Sequence, residues 1–134
     1  MKILGIGVDI IRNKRIKTSI KNKDFIKRIF SNNEIKTSKN KKEKTSYFAK
    51  RFAAKESFVK ALGTGFRDNL DFKDIEILND KMGKPYYYDS KVISHIIMKK
   101  YKVKKYNLFL SISDEKDYSV AFTIIQTQSW LIKR

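Results

Sequence analysis

The stretch TSYFAKRFAAKESFVKAL, residues 45–62, constrains the fold more than any other part of the chain. Strong helix formers dominate it, and Gly63 directly after it is a typical helix-ending residue. With about 100° of rotation per residue, its apolar side chains group on one side of a helix: Phe48, Ala49, Phe52, Ala53 and Val59. We therefore predict a long helix with a buried face, around which a chain of 134 residues builds one hydrophobic core.

The remaining sequence alternates between strand-like and helix-like patterns. Strands are predicted at 3–11, 72–78, 86–88, 108–113 and 118–126, with a turn at 79–85 and a hairpin turn at 114–117. Helices are predicted at 13–19, 24–30 and 90–101, and Ser31 to Glu34 has the form of a capping box. The polar run 36–46 is either a surface loop or the solvated start of the long helix. With no repeat and no linker, we expect a single α+β domain over 1–134, its long central helix packed on a mainly antiparallel sheet.

The chain contains no cysteine and one histidine, His95. The absence of cysteine excludes disulfide scaffolds, thiol nucleophiles and Cys-ligated zinc. One histidine does not build a multi-histidine metal site. Any metal ion must therefore be bound by oxygen ligands, which favours Mg²⁺, Mn²⁺ or Ca²⁺.

The formal charge of +17 predicts attraction to a polyanion, which leaves a small RNA-binding protein as an alternative class. Two carboxylates at apolar positions argue against RNA, because without a metal they would repel phosphate. The N-terminal residues MKILGIGVDII are interrupted by glycines and an aspartate, and no stretch approaches the roughly 18 apolar residues of a membrane span. We expect a cytoplasmic protein that binds neither membrane nor nucleic acid.

Asp9 is the first of these carboxylates. The alternation of residues 3–11 places four apolar side chains on one face of the strand: Leu4, Ile6, Val8 and Ile10. The opposite face carries Asp9 with Gly5 and Gly7, and the glycines would leave space for a ligand to approach the backbone. Because a buried carboxylate is costly without a compensating charge, Asp9 is either a cation ligand or a strand-ending residue that caps the helix near Asn13.

Glu56 is the second carboxylate at an apolar position. On the helical wheel it lies between Phe52 and Ala49, inside the predicted buried stripe. Lys60 follows one turn later, so an ordinary i,i+4 ion pair is the alternative to a functional acid. Lys55 also lies close to the stripe.

Gly63-Thr64-Gly65 follows the long helix. Gly63 alone is most simply a helix C-cap. Two glycines around a threonine would also let backbone and hydroxyl approach a phosphate or a thin ligand chain, with Lys60 and Arg51 as charge partners.

Four motifs occur in order along the chain: GIGVDI at 5–10 with Arg15-Ile16 after it, RFAAKESFVKALGTG at 51–65, GKP at 83–85, and SISD at 111–114 followed by Tyr118. Together they resemble the holo-acyl-carrier-protein synthase family, the short bacterial branch of the 4′-phosphopantetheinyl transferases. The helix motif is the most specific, since it is similar to the family's RFAAKEA…KAxGTG nearly end to end. The resemblance spans residues 3 to about 125.

The resemblance implies the family's fold and an enzyme of fatty acid biosynthesis. It would transfer 4′-phosphopantetheine from coenzyme A to a serine of apo acyl carrier protein and release adenosine 3′,5′-bisphosphate. Asp9 and Glu56 would bind Mg²⁺, with water and pyrophosphate oxygens completing the octahedron. Glu56, directly or through a bound water, would take the serine proton, and Lys60 would stabilise or protonate the leaving phosphate.

The resemblance also implies where the substrates bind. Coenzyme A would contact residues from four parts of the chain: Asp9, Arg51, Lys60, Gly63, Thr64, Gly65, Gly83, Lys84 and Pro85. The basic first helix, through Arg15, Lys17 and Lys21, would receive the acidic recognition helix of acyl carrier protein. Members of the family are generally homotrimers with active sites at subunit interfaces, and we expect the same here.

Two features depart from the family pattern. Asp114 occupies a position where many members have a histidine, and His95 is assigned no catalytic role. Residues 126–134, which include Trp130, form a C-terminal extension of unknown role. A degenerate transferase fold serving as a scaffold is a further alternative, and retention of Asp9, Glu56 and Lys60 argues against it.

Overall fold

The computed structural model describes residues 1–66 and 70–128, and its elements follow the predicted order. The helices are α1 (Asn13–Ser19), α2 (Lys23–Ile29), α3 (Asn32–Ser38), α4 (Lys44–Leu62) and α5 (Lys91–Tyr101). The strands are β1 (Lys2–Arg12), β2 (Ile77–Asn79), β3 (Pro85–Tyr87), β4 (Asn107–Asp114) and β5 (Tyr118–Thr127). An antiparallel sheet of order β1-β5-β4 and a β2-β3 hairpin confirm the predicted α+β class.

Helix α4 is the centre of the fold. Thirteen of its nineteen residues are buried, so the helix is covered on more than the single face that the wheel predicted. It packs on β1, β5 and β4 on one side and contacts α1 and α3 elsewhere. Three alanines with no exposed surface, at positions 49, 53 and 54, allow this close packing around the helix.

Local sequence explains where the helices begin and end. The capping box at α3 is confirmed, because the Ser31 hydroxyl accepts from the Glu34 amide at 3.1 Å and the Glu34 carboxylate accepts from the Ser31 amide at 2.9 Å. The polar run 36–46 is divided between the end of α3 and the start of α4 at Lys44. Gly63 ends α4 in the left-handed conformation, at a φ of 78°.

The prediction of a strand over 72–78 was wrong for its first five residues. Phe72–Asp74 forms a single 3₁₀ turn, and β2 begins only at Ile77. The Asp71 amide donates to the Asp74 carboxylate at 2.9 Å, which closes the turn. The carbonyls of Phe72 and Ile75 accept hydrogen bonds from the Lys55 ammonium of α4. The alternating apolar pattern could not reveal this contact.

Gly5 and Gly7 have a different role from the one predicted. A Cβ at Gly7 would lie 1.9 Å from the Ser57 carbonyl oxygen, and one at Gly5 would lie 2.1 Å from the Ala61 carbonyl oxygen. The space beside these glycines is therefore filled by the backbone of α4, and no ligand enters there. Glycine is required because the strand and the helix are in backbone contact.

The opposite face of the sheet is apolar and exposed in the single chain. On β1 the exposed fractions are 57% for Ile6, 53% for Val8 and 62% for Ile10. Phe109 of β4 and Phe122 of β5 extend the same surface, which we call the outer sheet face. An apolar surface of this extent is typical of a protein interface.

The predicted C-terminal extension over 126–134 begins later than expected. Gln126 and Thr127 belong to β5, where they pair with Ile3 and Lys2 of β1. Trp130 lies outside the described residues. Within 1–66 and 70–128, no helix is long and apolar enough to span a bilayer.

Replacing Gly7 with alanine should destabilise the protein by about 3 kcal/mol, because the new methyl group must push α4 away from β1. Gly83→Ala is the matched control, since nothing lies within 4 Å of its Cβ position and only its φ of +87° is unfavourable. The control should lose about 1 kcal/mol. Urea unfolding measures both, and equal losses would contradict the backbone contact.

Candidate active site

Asp9, Glu56 and Lys60 meet where β1 crosses α4. The Lys60 ammonium donates to the Asp9 carboxylate at 3.0 Å, with 13% of the Asp9 side chain and 54% of the Lys60 side chain exposed. Lys60 therefore pairs with the strand carboxylate across the contact, instead of forming the local i,i+4 pair with Glu56. The prediction that Asp9 merely caps the helix near Asn13 also fails, because the α1 N-cap is Arg12 and no side chain caps it.

Electrostatics distinguish Glu56 from an ordinary surface acid. Burial raises the pKa of the Glu56 carboxyl, and repulsion from Asp9 raises it further, while Lys60 and Arg15 act in the opposite direction. Arg15 of α1 lies against the same site, with its guanidinium carbon 5.9 Å from the centre of the Phe52 ring. We call Asp9, Glu56, Lys60 and Arg15 the carboxylate cluster.

The carboxylate cluster contains two acids and two cations. Within 1–66 and 70–128, no group of three or more histidine, cysteine, aspartate or glutamate side chains is placed to hold a metal ion. Two carboxylates alone suit Mg²⁺, which usually takes one or two protein carboxylates and completes its shell with water and substrate phosphates. The repulsion between Asp9 and Glu56 is what a divalent cation would relieve.

Arg51 occupies a second site on α4. Its guanidinium lies 3.9 Å from the centre of the Tyr47 ring and donates to the Asn79 side chain. Only 5% of the residue is exposed, and its Nε has no hydrogen-bond partner among the described residues. Burial lowers the pKa of the Arg51 guanidinium. Arg51 lines a cavity of about 280 Å³ together with Glu34, Lys41 and Asn79. A buried cation with an unsatisfied donor favours an anion in this cavity.

The turn after β2 is joined to Arg51. Asn79 accepts from Arg51 and donates its side-chain amide to the Gly83 carbonyl at 2.9 Å. The Asp80 carboxylate accepts from the backbone amides of Met82 and Lys84, both at 2.9 Å. Residues 79–85 are thereby held as one rigid turn beside Arg51, and we call Arg51 and this turn the Arg51 cluster.

The glycines of the Gly63-Thr64-Gly65 loop both adopt positive φ, 78° at Gly63 and 69° at Gly65. The Lys100 ammonium of α5 donates to the Leu62 carbonyl at the end of α4 and lies 3.8 Å from the Cβ position of Gly63. This places a cation beside the loop, where it complements the negative end of the α4 dipole.

Most of the predicted site residues fall into two clusters, and the Gly63-Thr64-Gly65 loop, Lys17 and Lys21 lie outside both. The carboxylate cluster unites the predicted metal ligands with Lys60 and with Arg15, which was predicted to bind acyl carrier protein. The Arg51 cluster unites Arg51 with Gly83, Lys84 and Pro85. Arg51 and Glu56 are five positions apart, so their side chains leave α4 about 140° apart. Lys17 and Lys21 are exposed on and just after α1.

Comparison with known proteins assigns a family to this arrangement. Residues 5–123 match the family model described as the 4′-phosphopantetheinyl transferase superfamily, ACPS. The chain belongs to the holo-[acyl-carrier-protein] synthase family. A holo-[acyl-carrier-protein] synthase of Pelagibacter ubique is 58% identical over 126 residues, which cover 94% of this chain and 98% of the relative. The predicted family and enzyme class, a phosphopantetheinyl transferase, are therefore confirmed.

Solved structures agree in fold. The crystal structure of the holo-[acyl-carrier-protein] synthase from Neisseria meningitidis aligns with a TM-score of 0.82 at 36% identity, covering 94% of this chain and all of that one. A Bacillus anthracis synthase in complex with CoA (3′,5′-ADP) aligns with a TM-score of 0.77 at 36% identity, over 94% of this chain and 98% of that one.

Several contacts at the site were missed from the sequence. Asn79 was assigned only to a turn, although it links Arg51 to Gly83. Asp114, noted only as a departure, accepts from the Ser46 hydroxyl at 2.8 Å and so ties the end of β4 to the start of α4. The Arg51–Asn79 and Ser46–Asp114 contacts join residues far apart in the chain. The one available signal was Asn79 itself, since a turn-forming amide next to GKP is a natural backbone-binding group.

Glu56→Gln should stabilise the metal-free protein at about pH 7 and have little effect at about pH 3.5. A raised pKa means that ionised Glu56 opposes folding, and this penalty disappears once pH falls below the ordinary value of 4.5, where both folded and unfolded states are protonated. Urea unfolding in EDTA measures the difference. Glu115→Gln in the exposed β4–β5 turn is the control, and a Glu56→Gln variant less stable than wild type at neutral pH would contradict the assignment.

Proposed function

We propose that this protein transfers the 4′-phosphopantetheine group of coenzyme A to a serine hydroxyl of apo acyl carrier protein, releasing adenosine 3′,5′-bisphosphate in a Mg²⁺-dependent reaction. The observation that carries the proposal is the carboxylate cluster, where Asp9 and Glu56 repel each other beside Lys60. Family membership supports the transfer, and the Bacillus anthracis relative binds CoA.

Asp9 and Glu56 are the proposed Mg²⁺ ligands. The oxygen donors suit a hard cation, and the chain contains no cysteine to favour a softer one. Bound there, Mg²⁺ would neutralise charge on the pyrophosphate of coenzyme A and make its phosphorus more electrophilic.

Glu56 and Lys60 are the proposed residues for proton transfer and for stabilising the leaving group. The serine oxygen attacks the phosphorus that bears the pantetheine arm, the new P–O bond forms, and the bond to adenosine 3′,5′-bisphosphate breaks. Glu56, directly or through a bound water, accepts the serine proton. Lys60 is half exposed and can turn from Asp9 to the leaving phosphate, which it stabilises or protonates.

The Arg51 cluster is the proposed binding site for the nucleotide end of coenzyme A. The unsatisfied Arg51 Nε and the neighbouring cavity favour a phosphate. Gly83, Lys84 and Pro85 would lie against the adenine. Gly63, Thr64 and Gly65 would contact the pantetheine chain, which a loop with two side-chain-free positions accommodates.

Acyl carrier protein is proposed to dock on α1. Lys17 and Lys21 are exposed and available to an acidic helix. Arg15 lies between this surface and Glu56, so the docked carrier would present its serine to the carboxylate cluster. Fatty acid biosynthesis and a cytoplasmic location are parts of the same proposal.

A homotrimer is proposed because the outer sheet face would otherwise expose a large apolar surface to water. This face adjoins the Arg51 cluster: Lys84, Pro85 and Tyr86 line a groove of about 390 Å³ together with Phe109 and Phe122. A subunit seated on the outer sheet face would therefore reach the nucleotide site. The 140° separation of Arg51 from Glu56 supports active sites built from the carboxylate cluster of one subunit and the Arg51 cluster of its neighbour.

Asp9→Ala and Glu56→Ala should each reduce the rate of phosphopantetheine transfer by about 100-fold or more, because each removes a proposed Mg²⁺ ligand. EDTA should stop the reaction, and Mn²⁺ should partly restore it. The measurement is the mass of apo acyl carrier protein after incubation with the enzyme, coenzyme A and Mg²⁺, with Glu115→Gln as the surface control. Full activity in EDTA, or near-wild-type activity of Glu56→Ala, would overturn the metal assignment.

Co-expression of Asp9→Ala with Arg51→Ala chains should restore transfer to about a quarter of the wild-type rate, because random trimers contain that fraction of intact shared sites. Each variant alone should be inactive. Asp9→Ala co-expressed with Glu56→Ala is the control. It should stay inactive because both changes fall in the carboxylate cluster, so every shared site lacks one of the two carboxylates. If co-expressed Asp9→Ala and Arg51→Ala chains were as inactive as each variant alone, one chain would carry the whole site.

A further inference from the structure

Glu34 of α3 and Lys55 of α4 form an ion pair in the interior of the protein. The Lys55 ammonium donates to the Glu34 carboxylate at 2.8 Å, and both side chains are fully buried. Burial lowers the pKa of Lys55, and Glu34 raises it in opposition. Neither residue belongs to the carboxylate cluster or the Arg51 cluster, although Glu34 lines the cavity beside Arg51.

The pair fixes the segment that leads to β2. Besides Glu34, the Lys55 ammonium donates to the carbonyls of Phe72 at 2.9 Å and Ile75 at 2.6 Å, so its three donors all have acceptors. The second oxygen of Glu34 accepts from the Ile77 amide, the first residue of β2, at 3.0 Å. Residues 72–77 are therefore hydrogen-bonded to α3 and α4 through this pair of side chains, beside the stacking of Phe52 on Phe72. The hairpin that follows carries the turn 79–85.

Glu34 also supports Arg51 from the other side. Its carbonyl accepts from the Tyr47 hydroxyl at 2.6 Å, and the Tyr47 ring lies beneath the Arg51 guanidinium. Glu34 thus contacts, through its side chain, the strand residue that precedes the 79–85 turn and, through its backbone carbonyl, the tyrosine that packs on Arg51.

Stability alone does not account for such a pair. Desolvation of two charges offsets most of their attraction, and apolar side chains of similar volume commonly give equal or greater stability. Apolar residues cannot form directional hydrogen bonds. In their place, the two carbonyls and the Ile77 amide would lose their present partners.

We infer that Glu34 and Lys55 are positioning residues for the coenzyme A site, setting the place of the 79–85 turn relative to Arg51. The inference rests on the proposed function, because it assumes that the Arg51 cluster binds the nucleotide. Loss of the pair should weaken coenzyme A binding and leave the carboxylate cluster, on the other side of α4, able to perform the reaction at saturation.

The experiment compares four proteins at a temperature where circular dichroism shows all of them folded. These are the wild type, Glu34→Gln, the double variant Glu34→Gln/Lys55→Met, and Ile97→Ala in α5 as a core variant away from both clusters. The double variant removes both charges together, so no buried charge remains unpaired and the protein should fold even if Glu34→Gln does not. Calorimetry measures coenzyme A binding, and kinetics give KM and kcat for each substrate.

The inference predicts that both pair variants bind coenzyme A about tenfold more weakly, with kcat and the KM for acyl carrier protein within about threefold of wild type. Ile97→Ala should bind coenzyme A normally despite its lower stability. Normal coenzyme A affinity in the double variant would overturn the inference and leave the proposed function standing. If the wild type itself failed to bind coenzyme A, the proposed function would fall, and the inference with it.

Discussion

Helix α4 rests directly on β1 because Gly5 and Gly7 place no side chain between the two backbones. A Cβ at either position would lie about 2 Å from a carbonyl oxygen of the helix, at 2.1 Å and 1.9 Å respectively. This contact brings Asp9, two residues after Gly7, against Glu56 and Lys60. The same contact is also the reason that burial and a neighbouring carboxylate raise the pKa of Glu56. An ordinary side chain at Gly7 would separate the two acids and remove the electrostatic feature on which the proposed chemistry depends.

The buried position of α4 lets one helix serve two sites. Glu56 and Lys60 leave it toward β1, whereas Arg51 leaves it toward α3 and the β2–β3 hairpin. Lys55, adjacent to Glu56 in sequence, joins the helix to the segment before that hairpin through Glu34. The helix is rigid because its surroundings cover it on several sides, so residues one position apart can act in different parts of the molecule. The exposed outer sheet face is the surface on which we propose that a neighbouring subunit binds.

The elements of regular periodicity were predictable from the sequence. The long helix, the hairpin of the last two strands and the capping box at Ser31 each depend on residues close together in the chain, and each was confirmed. The strand predicted over 72–78 was wrong for its first five residues because Lys55, about twenty residues earlier, binds the carbonyls of Phe72 and Ile75. Likewise, the helical wheel of α4 showed only that Lys55 lies near the apolar stripe. A wheel of one helix contains no information about Glu34, which belongs to another helix.

The sequence by itself determined the family, the α+β class and the identity of the unusual acids, because motifs and apolar periodicity are local properties of the chain. Only the tertiary structure decided what surrounds them. It paired Lys60 with Asp9 instead of Glu56, filled the space beside Gly5 and Gly7 with helix backbone, and separated Arg51 from the carboxylates. These outcomes follow from the packing of one helix against a strand and a hairpin distant in sequence. The energies of such contacts depend on distances that no local pattern specifies.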